Sequence, residues 1–215
     1  MTNSTHPTQN LLLEYTSGRL PTAAGLTVSA HLETCGQCVR AAREMTDQVA
    51  NLMVDLADSP LLAGTLDQVL ARLDESVQEA PEPYWAARAR PDHFLPDSLV
   101  AVGLKTRRPF GRGYWLAHTK ASTAHGWRSF VLSIPPGGEI ASHRHVGDEY
   151  VAVLEGELSD GDASYAPGDF LRSADQSMHT LTVSQAGRCT CLIAIQAPPI
   201  WQSPASAIAR FWTGI

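Results

Sequence analysis

The chain has 215 residues, of which 44% are hydrophobic and 18% charged. This length suits one large domain or two small ones, and the composition is typical of a globular protein. The sequence has no apolar run near the roughly 20 residues needed to span a bilayer, and MTNSTHPTQN lacks the basic start and apolar stretch of a secretory signal. We therefore expect a cytoplasmic protein with no membrane contact and, in that reducing compartment, no structural disulfide.

The charge of the chain disfavours a nucleic-acid partner. With 16 basic and 22 acidic residues the net charge is −6, and the sequence contains no long cluster of lysine and arginine. Nucleic-acid binding usually needs a basic face that neutralises phosphates. A protein partner or a small ligand is expected instead, without direct contact to nucleic acid.

Residues 8–80 have the periodicity of helices, with apolar residues at three- and four-residue spacings. A first helix is predicted to end near Gly18, and a second helical stretch to run from Pro21 through Val54, with breaks that the pattern does not place. Farther along, the apolar residues form one stripe, made of Leu62, Leu66, Val69, Leu70, Leu73 and Val77. This stripe either packs on its own domain or docks on a partner.

A proline-rich segment at 80–97 separates the helical part from a region of β pattern. Short apolar or alternating runs follow, with turns rich in glycine and proline between them, at 127–134, 149–154, 170–172 and 189–195. Such regular short strands indicate a β-sandwich or a barrel.

Three potential metal ligands in the helical part have the spacing of one helix face. His31, Cys35 and Cys38 stand at positions i, i+4 and i+7, so on a single α-helix all three side chains project to the same side. Zn²⁺ favours a tetrahedral set of cysteine and histidine, and His6 is the candidate for the fourth ligand. A thioredoxin-like redox pair is the alternative for a CxxC, but the sequence has no βαβ pattern around it. The spacing predicts a structural zinc site that stabilises a domain with a thin core.

An early histidine followed by HLETCGQC resembles the zinc-binding anti-sigma domain of bacterial anti-sigma factors, over roughly residues 1–80. This resemblance implies a small four-helix domain that binds zinc and wraps around an extracytoplasmic-function sigma factor, covering surfaces that the sigma factor needs for RNA polymerase. The apolar stripe then becomes a candidate sigma-binding helix, with Leu62, Leu66, Val69, Leu70 and Leu73 as partner-binding residues.

The β region contains a second set of potential ligands. His143 and His145 are two residues apart and share a face if they lie in a strand, and Glu149 follows a short turn that can return it toward the same point. His179, on a later predicted strand, can supply a fourth ligand, because side chains converge in a barrel interior. Imidazole and carboxylate donors suit several divalent metals, so the ligand types do not decide which metal binds.

The segment GGEIASHRHVGDEYVAVLEGEL, with its HxH pair and Glu149 at the characteristic glycine spacing, resembles the first motif of the cupin family. Residues 161–167 with His179 resemble the second motif, although Val183 stands where many cupins have asparagine. The resemblance covers about 95–197 and implies a jelly-roll barrel with a second divalent metal, for which Zn²⁺ is favoured.

Cys189 and Cys191 form a CxC in a predicted strand, so their side chains share a face. We expect both to be buried small hydrophobic residues. Near a metal they are alternatively oxidation-sensitive thiols.

A zinc anti-sigma domain followed by a cupin domain is the architecture of the ChrR-type anti-sigma factors, which this sequence resembles over nearly its whole length. The expected fold is therefore multidomain α and β, with an N-terminal helical zinc-binding bundle followed by a C-terminal cupin β-barrel of the jelly-roll type. The predicted boundaries are an anti-sigma domain, a linker, a cupin domain and a C-terminal tail at 1–80, 81–94, 95–197 and 198–215.

This resemblance implies a cytoplasmic transcription regulator that inhibits its sigma factor in a one-to-one complex. The sigma factor would be released when the cupin domain responds to reactive oxygen, such as singlet oxygen. The alternative is a cupin metalloenzyme of the dioxygenase or isomerase type with an accessory zinc domain. Against an enzyme, the sequence ties no further acid or base residues to the cupin ligands.

Overall fold

A computed structural model describes residues 5–54, 56, 60, 62–73, 95–121, 126–173 and 178–202. The helices in this part of the chain are α1 (Gln9–Thr16), α2 (Thr22–Leu32), α3 (Gly36–Val54), α4 (Thr65–Leu73) and α5 (Asp97–Val102). Of the helices described, none is both long and apolar enough to cross a membrane. The predicted linker at 81–94 and the end of the stripe at Val77 lie outside the described residues.

The first two helices follow from local signals in the sequence. The Thr8 side chain accepts a hydrogen bond from the backbone N–H of Leu11 and caps the start of α1. Gly18, with a φ of 69°, follows the end of this helix as expected, because glycine adopts left-handed conformations without steric cost. Helix α2 is apolar around most of its circumference, which requires burial on more than one side.

The predicted placement of His31, Cys35 and Cys38 on one helix is wrong. Helix α2 ends at Leu32 and α3 begins at Gly36, so Cys35 lies in the break between the two helices. The His31 carbonyl oxygen accepts hydrogen bonds from the Thr34 hydroxyl and from the backbone N–H groups of Thr34 and Cys35. These bonds satisfy the last turn of α2 locally and allow the chain to change direction there.

Eleven strands in the described residues form the β-domain. They are β1 (Arg108–Pro109), β2 (Trp115–His118), β3 (Arg128–Ile134), β4 (Glu139–Arg144), β5 (Glu149–Glu155), β6 (Leu158–Asp160), β7 (Ala163–Tyr165), β8 (Phe170–Ser173), β9 (His179–Val183), β10 (Cys189–Ile195) and β11 (Ile200–Trp201). The four runs predicted from the β pattern correspond to β3, β5, β8 and β10. Their alternating or continuous apolar residues fill a core between two facing sheets.

The two sheets make the jelly-roll arrangement expected of a cupin. One sheet has the order β1-β2-β3-β10-β5-β8, and the other has the order β11-β4-β9-β6-β7. All of the strand pairs are antiparallel. The strand β11 lies within the predicted C-terminal tail at 198–215, where Trp201 pairs with His143 of β4. The barrel therefore extends past the predicted boundary at residue 197.

The helical part packs directly on the outer face of the six-stranded sheet. Helix α2 contacts β3, β5 and β10, and its Val28 side chain lies in one apolar cluster with Phe170 of β8. On the same helix, Leu26 packs in a second cluster with Leu192 of β10. Full burial of such a side chain contributes about 1.5–3 kcal/mol to stability. The two predicted domains thus share their apolar packing along α2.

Candidate metal centres

Four side chains predicted as ligands come together in the helical part. One ligand atom from each of His6, His31, Cys35 and Cys38 lies within 4.8 Å of all the others. The Sγ atoms of Cys35 and Cys38 are each 3.5 Å from Nδ1 of His6. Four pieces of chain supply these groups, namely the segment before α1, the last turn of α2, the break between α2 and α3, and the first turn of α3. We call this group the N-terminal cluster.

The environment of His31 leaves one ring nitrogen directed into the N-terminal cluster. Its Nδ1 lies 2.7 Å from the carbonyl oxygen of Gly168, and because a carbonyl only accepts hydrogen bonds, Nδ1 carries the proton. The Nε2 atom is buried and has no hydrogen-bond partner among the described residues. Burial lowers the pKa of His31, which keeps the imidazole neutral near pH 7. A buried imidazole lone pair beside two thiols fits a Zn²⁺ ligand.

The two cysteines of this cluster lie close enough to affect each other's ionisation. Burial and the neighbouring Cys35 raise the pKa of Cys38 to about 12. Cys38 is therefore a thiol near pH 7. A bound Zn²⁺ would replace its proton, since the thiolate is the ligand.

The second group lies inside the barrel and joins its two sheets. His143, His145 and His179 each place a nitrogen within 4.8 Å of the other two. The Nε2 atom of His145 is 3.1 Å from His179 Nε2 and also 3.1 Å from Glu149 Oε2. Glu149 thus adjoins the three histidines through His145. We call these four residues the barrel cluster.

Both histidines of the HxH pair point into the barrel cluster, as predicted. Strand β4 ends at Arg144, so His145 lies one residue beyond it. The chain crosses from one sheet to the other after β4, and Glu149 begins β5 in the opposite sheet. His143 pairs directly with His179 of β9. The site is therefore assembled across the gap between the sheets.

Hydrogen bonds behind the ligands fix the orientation of two imidazoles. His143 Nδ1 donates to the Ala141 carbonyl oxygen at 2.8 Å, and His179 Nδ1 is 3.0 Å from Asp160 Oδ2. Both contacts leave Nε2 as the atom that faces the barrel cluster. The sequence analysis missed Asp160, because only the pairing of β6 with β9 brings it beside His179. The available sequence signal for Asp160 was that it is an acidic residue in the turn-rich EGELSDGD segment.

The electrostatics of the barrel cluster favour a divalent cation. Burial lowers the pKa of His143, so that imidazole is neutral near pH 7. Burial acts to raise the pKa of Glu149, but contact with His145 and the nearby histidines outweigh it and hold this pKa below its usual value. A buried carboxylate among imidazoles is a donor set that suits zinc and other first-row divalent metals.

The space beside the barrel cluster is small and mainly apolar. A cavity of about 70 Å³ is lined by His143, His145 and Glu149 together with residues such as Phe130, Leu132 and Trp201. The Trp201 ring lies 5.0 Å from the His143 ring, between centroids. Typical small-molecule pockets measure roughly 300–1,000 Å³. Within the described residues, this cavity therefore admits only very small ligands.

Cys189 and Cys191 lie in the core between the sheets, and the prediction that both are buried is confirmed. Their Sγ atoms are 3.6 Å apart. Contact with Cys189 and burial raise the pKa of Cys191 well above its ordinary value, so this thiol stays protonated near pH 7.

The apolar stripe is exposed as far as the structure describes it. Leu62 is 85% exposed. On α4, at least half of the surface of Leu66, Val69 and Leu70 is exposed. Leu73 ends this helix, but its side chain is not among those described. The described residues thus leave the stripe uncovered.

Comparisons with known proteins agree with this arrangement. The family model described as "ChrR Cupin-like domain" matches residues 98–198. Anti-sigma-E factor ChrR of Cereibacter sphaeroides is 32% identical over 199 residues, which cover 92% of each chain. A chain in the crystal structure of Rhodobacter sphaeroides SigE in complex with the anti-sigma ChrR is 28% identical, with a TM-score of 0.68. That match covers 88% of the present chain and 97% of the crystallised one.

Proposed function

Because the chain belongs to the ChrR family of anti-sigma factors, we propose that it binds an extracytoplasmic-function sigma factor in a one-to-one complex. In this complex the sigma factor is kept from RNA polymerase. The protein acts in the cytoplasm as a transcription regulator and contacts neither nucleic acid nor membrane directly. The observation that carries this proposal is the uncovered apolar face of α4.

The face of α4 has the properties of a protein-binding helix. Leu66, Val69 and Leu70 are spaced i, i+3 and i+4 and so lie on one side of the helix, where each is largely exposed. Monomeric proteins rarely leave a large contiguous apolar patch in water. Amphipathic helices of this kind typically bind in a groove on a partner. We assign Leu62, Leu66, Val69, Leu70 and Leu73 to the sigma-binding surface.

The N-terminal cluster would hold a structural Zn²⁺ through His6, His31, Cys35 and Cys38. Four protein ligands close such a site, and the metal then supplies cross-linking of the chain rather than catalysis. Support comes from the buried Nε2 of His31, which has no hydrogen-bond partner in the described part of the chain, and from the two thiols near His6. The metal would fix the angle between α2 and α3. It would thereby fix the direction in which α3 leads toward the sigma-binding surface.

The barrel cluster would hold a second divalent metal, with Zn²⁺ favoured, through His143, His145, Glu149 and His179. We propose that this barrel is the part that responds to reactive oxygen, including singlet oxygen, with release of the sigma factor. The small cavity supports a regulatory role over the metalloenzyme alternative, because a space of about 70 Å³ is too small for most metabolites.

Binding is tested with the full-length, zinc-loaded chain co-purified with each extracytoplasmic-function sigma factor of the same genome. We expect one of them to co-elute in a one-to-one complex and to lose binding to core RNA polymerase. Leu70→Asp should weaken the complex, because it places a charge on the apolar face. Val100→Asp is the matched control, since Val100 is 39% exposed on α5 and lies off this face. Failure of every sigma factor to bind would refute the proposed function. Equal weakening of the complex by the two variants would refute the assignment of the α4 face as the binding surface.

A further inference from the structure

The N-terminal cluster has a hydrogen-bond partner that belongs to the barrel. The Nδ1–H of His31 donates to the carbonyl oxygen of Gly168 at 2.7 Å, and these two residues are 137 positions apart in the sequence. Gly168 lies in the turn that connects β7 to β8. The anti-sigma part and the cupin part are therefore joined at a candidate metal ligand.

We infer that the barrel turn at 166–169 is the outer support of the N-terminal metal site. In this role the Gly168 carbonyl positions His31, by fixing both its protonated nitrogen and the direction of its ring. Outer hydrogen bonds of this kind orient metal-binding histidines and raise their basicity. The inference rests on the proposed zinc at the N-terminal cluster, and it assigns a role to a residue of the other domain.

Neighbouring contacts hold a second ligand to the same part of the barrel. The backbone N–H of Phe170 donates to the Thr5 carbonyl oxygen at 3.0 Å, one residue before His6. The Phe170 ring also packs edge-on against the His31 ring, with 5.8 Å between centroids. The beginning of β8 thus contacts His31 and Thr5, the residue before His6.

The supporting turn is itself firmly fixed. The backbone N–H of Gly168 donates to the Val153 carbonyl oxygen at 2.9 Å. Asp169 closes the turn, because its carboxylate accepts from the Ala166 N–H at 2.8 Å while its own N–H donates to the Ala166 carbonyl at 3.0 Å. The Gly168 carbonyl is thus a fixed hydrogen-bond acceptor that can orient the His31 ring.

Gly168 is required at its position for two reasons. Its φ of +96° is a conformation that residues with a side chain rarely adopt. A Cβ atom there would also lie 3.2 Å from Oγ1 of Thr34, which is tighter than an ordinary contact. Gly168→Ala should therefore move the turn away from Thr34 and lengthen the hydrogen bond to His31.

Gly161→Ala is the matched control for this variant. Gly161 lies in the preceding turn of the barrel, between β6 and β7, with a φ of +58°, but a Cβ atom there would have no neighbour within 4 Å. Both substitutions place a side chain at a positive φ, with the greater strain expected at the +96° of Gly168. Only Gly168→Ala adds a contact with Thr34, in the break after α2.

The test uses the full-length chain loaded with Co²⁺, because cobalt bound to cysteine gives a thiolate charge-transfer band. Only the N-terminal cluster contains cysteine ligands, so this band follows that cluster alone. We expect a competing chelator to remove the band about ten- to a hundredfold faster from Gly168→Ala than from the unaltered protein. Gly161→Ala should lose it at the unaltered rate, and circular dichroism should confirm that both variants are folded.

Equal rates for Gly168→Ala and the unaltered protein would overturn the inference, and so would equal acceleration by the two glycine variants. A missing thiolate band in the unaltered protein would instead refute the N-terminal metal site on which the inference rests. Sigma binding is not measured in this experiment. A failure of the proposed sigma binding would therefore appear only in the co-purification test and would not change the rate at which the band is lost.

Discussion

Asp160 Oδ2 lies 3.0 Å from Nδ1 of His179 and so places a carboxylate behind a candidate ligand of the barrel cluster. This contact joins β6 to β9, two neighbouring strands of the five-stranded sheet. It fixes the orientation of the imidazole and increases the basicity of the opposite nitrogen.

Asp160→Ala should therefore weaken metal binding at the barrel cluster by about ten- to a hundredfold, with the fold retained. Competition with a chelator of known affinity measures this loss. Asp162→Ala is the control, because Asp162 is an exposed acidic residue in the same turn. A loss of the same size in both variants would show that overall negative charge matters rather than the contact with His179.

Replacement of Cys35 and Cys38 together by serine should remove one of two bound metals. The barrel cluster contains no cysteine, so its metal should remain. Elemental analysis of the purified chain should give two equivalents for the unaltered protein and one for the double variant. Cys189→Ala should keep both metals, and retention of two equivalents by the double variant would contradict the N-terminal assignment.

Metal affinity of the N-terminal cluster should increase with pH. In the metal-free chain, burial and Cys35 raise the pKa of Cys38 from 9.0 to about 12. The folded state therefore favours the thiol, and this contribution to stability is fully present below pH 9 and lost as the pH rises through 12. Because Zn²⁺ binds the thiolate, metal binding must displace this proton. Zinc competition titrations at several pH values between about 6 and 9 should show tighter binding at each step, and an affinity independent of pH would contradict the prediction.

Helix α2 should unfold together with the barrel. Leu26 of this helix is 5% exposed and packs against Leu192 of β10. Leu26→Ala should lower the free energy of unfolding by about 2–5 kcal/mol, through lost burial and the cavity left behind. Chemical denaturation followed by far- and near-ultraviolet circular dichroism should give a single shifted transition.

Leu13→Ala on α1 is the control for that measurement. Leu13 is 38% exposed, so this substitution should lower the free energy of unfolding only slightly. Two separate transitions in the unaltered protein, one helical and one of the barrel, would show that the shared packing does not couple their unfolding.

The sequence predicted the main strands and both groups of candidate ligands because these depend on local patterns. The strand β10 begins and ends with the largely apolar run from Cys189 to Ile195, which only Thr190 interrupts. The ligand residues were recognisable because their types and spacings are unusual together. In both cases the information lies within a short stretch of chain.

Features that depend on distant contacts were not predictable in the same way. The break at 33–35 follows from competing hydrogen bonds to His31, which the helical spacing does not reveal. Strand β11 has only two residues and is defined by its pairing with β4. Asp160 and Gly168 become neighbours of ligands only through the register of the sheets and the position of α2.

The short strand β8 connects the surroundings of both clusters without using the segment at 74–94. Its first residue, Phe170, packs against His31, and its last, Ser173, pairs with Glu149. At about 3.3 Å per residue, four extended residues cover roughly 13 Å. The neighbours of Glu149 and of His31 are thus the two ends of one strand, and cleavage of the polypeptide between α4 and α5 would leave this connection intact.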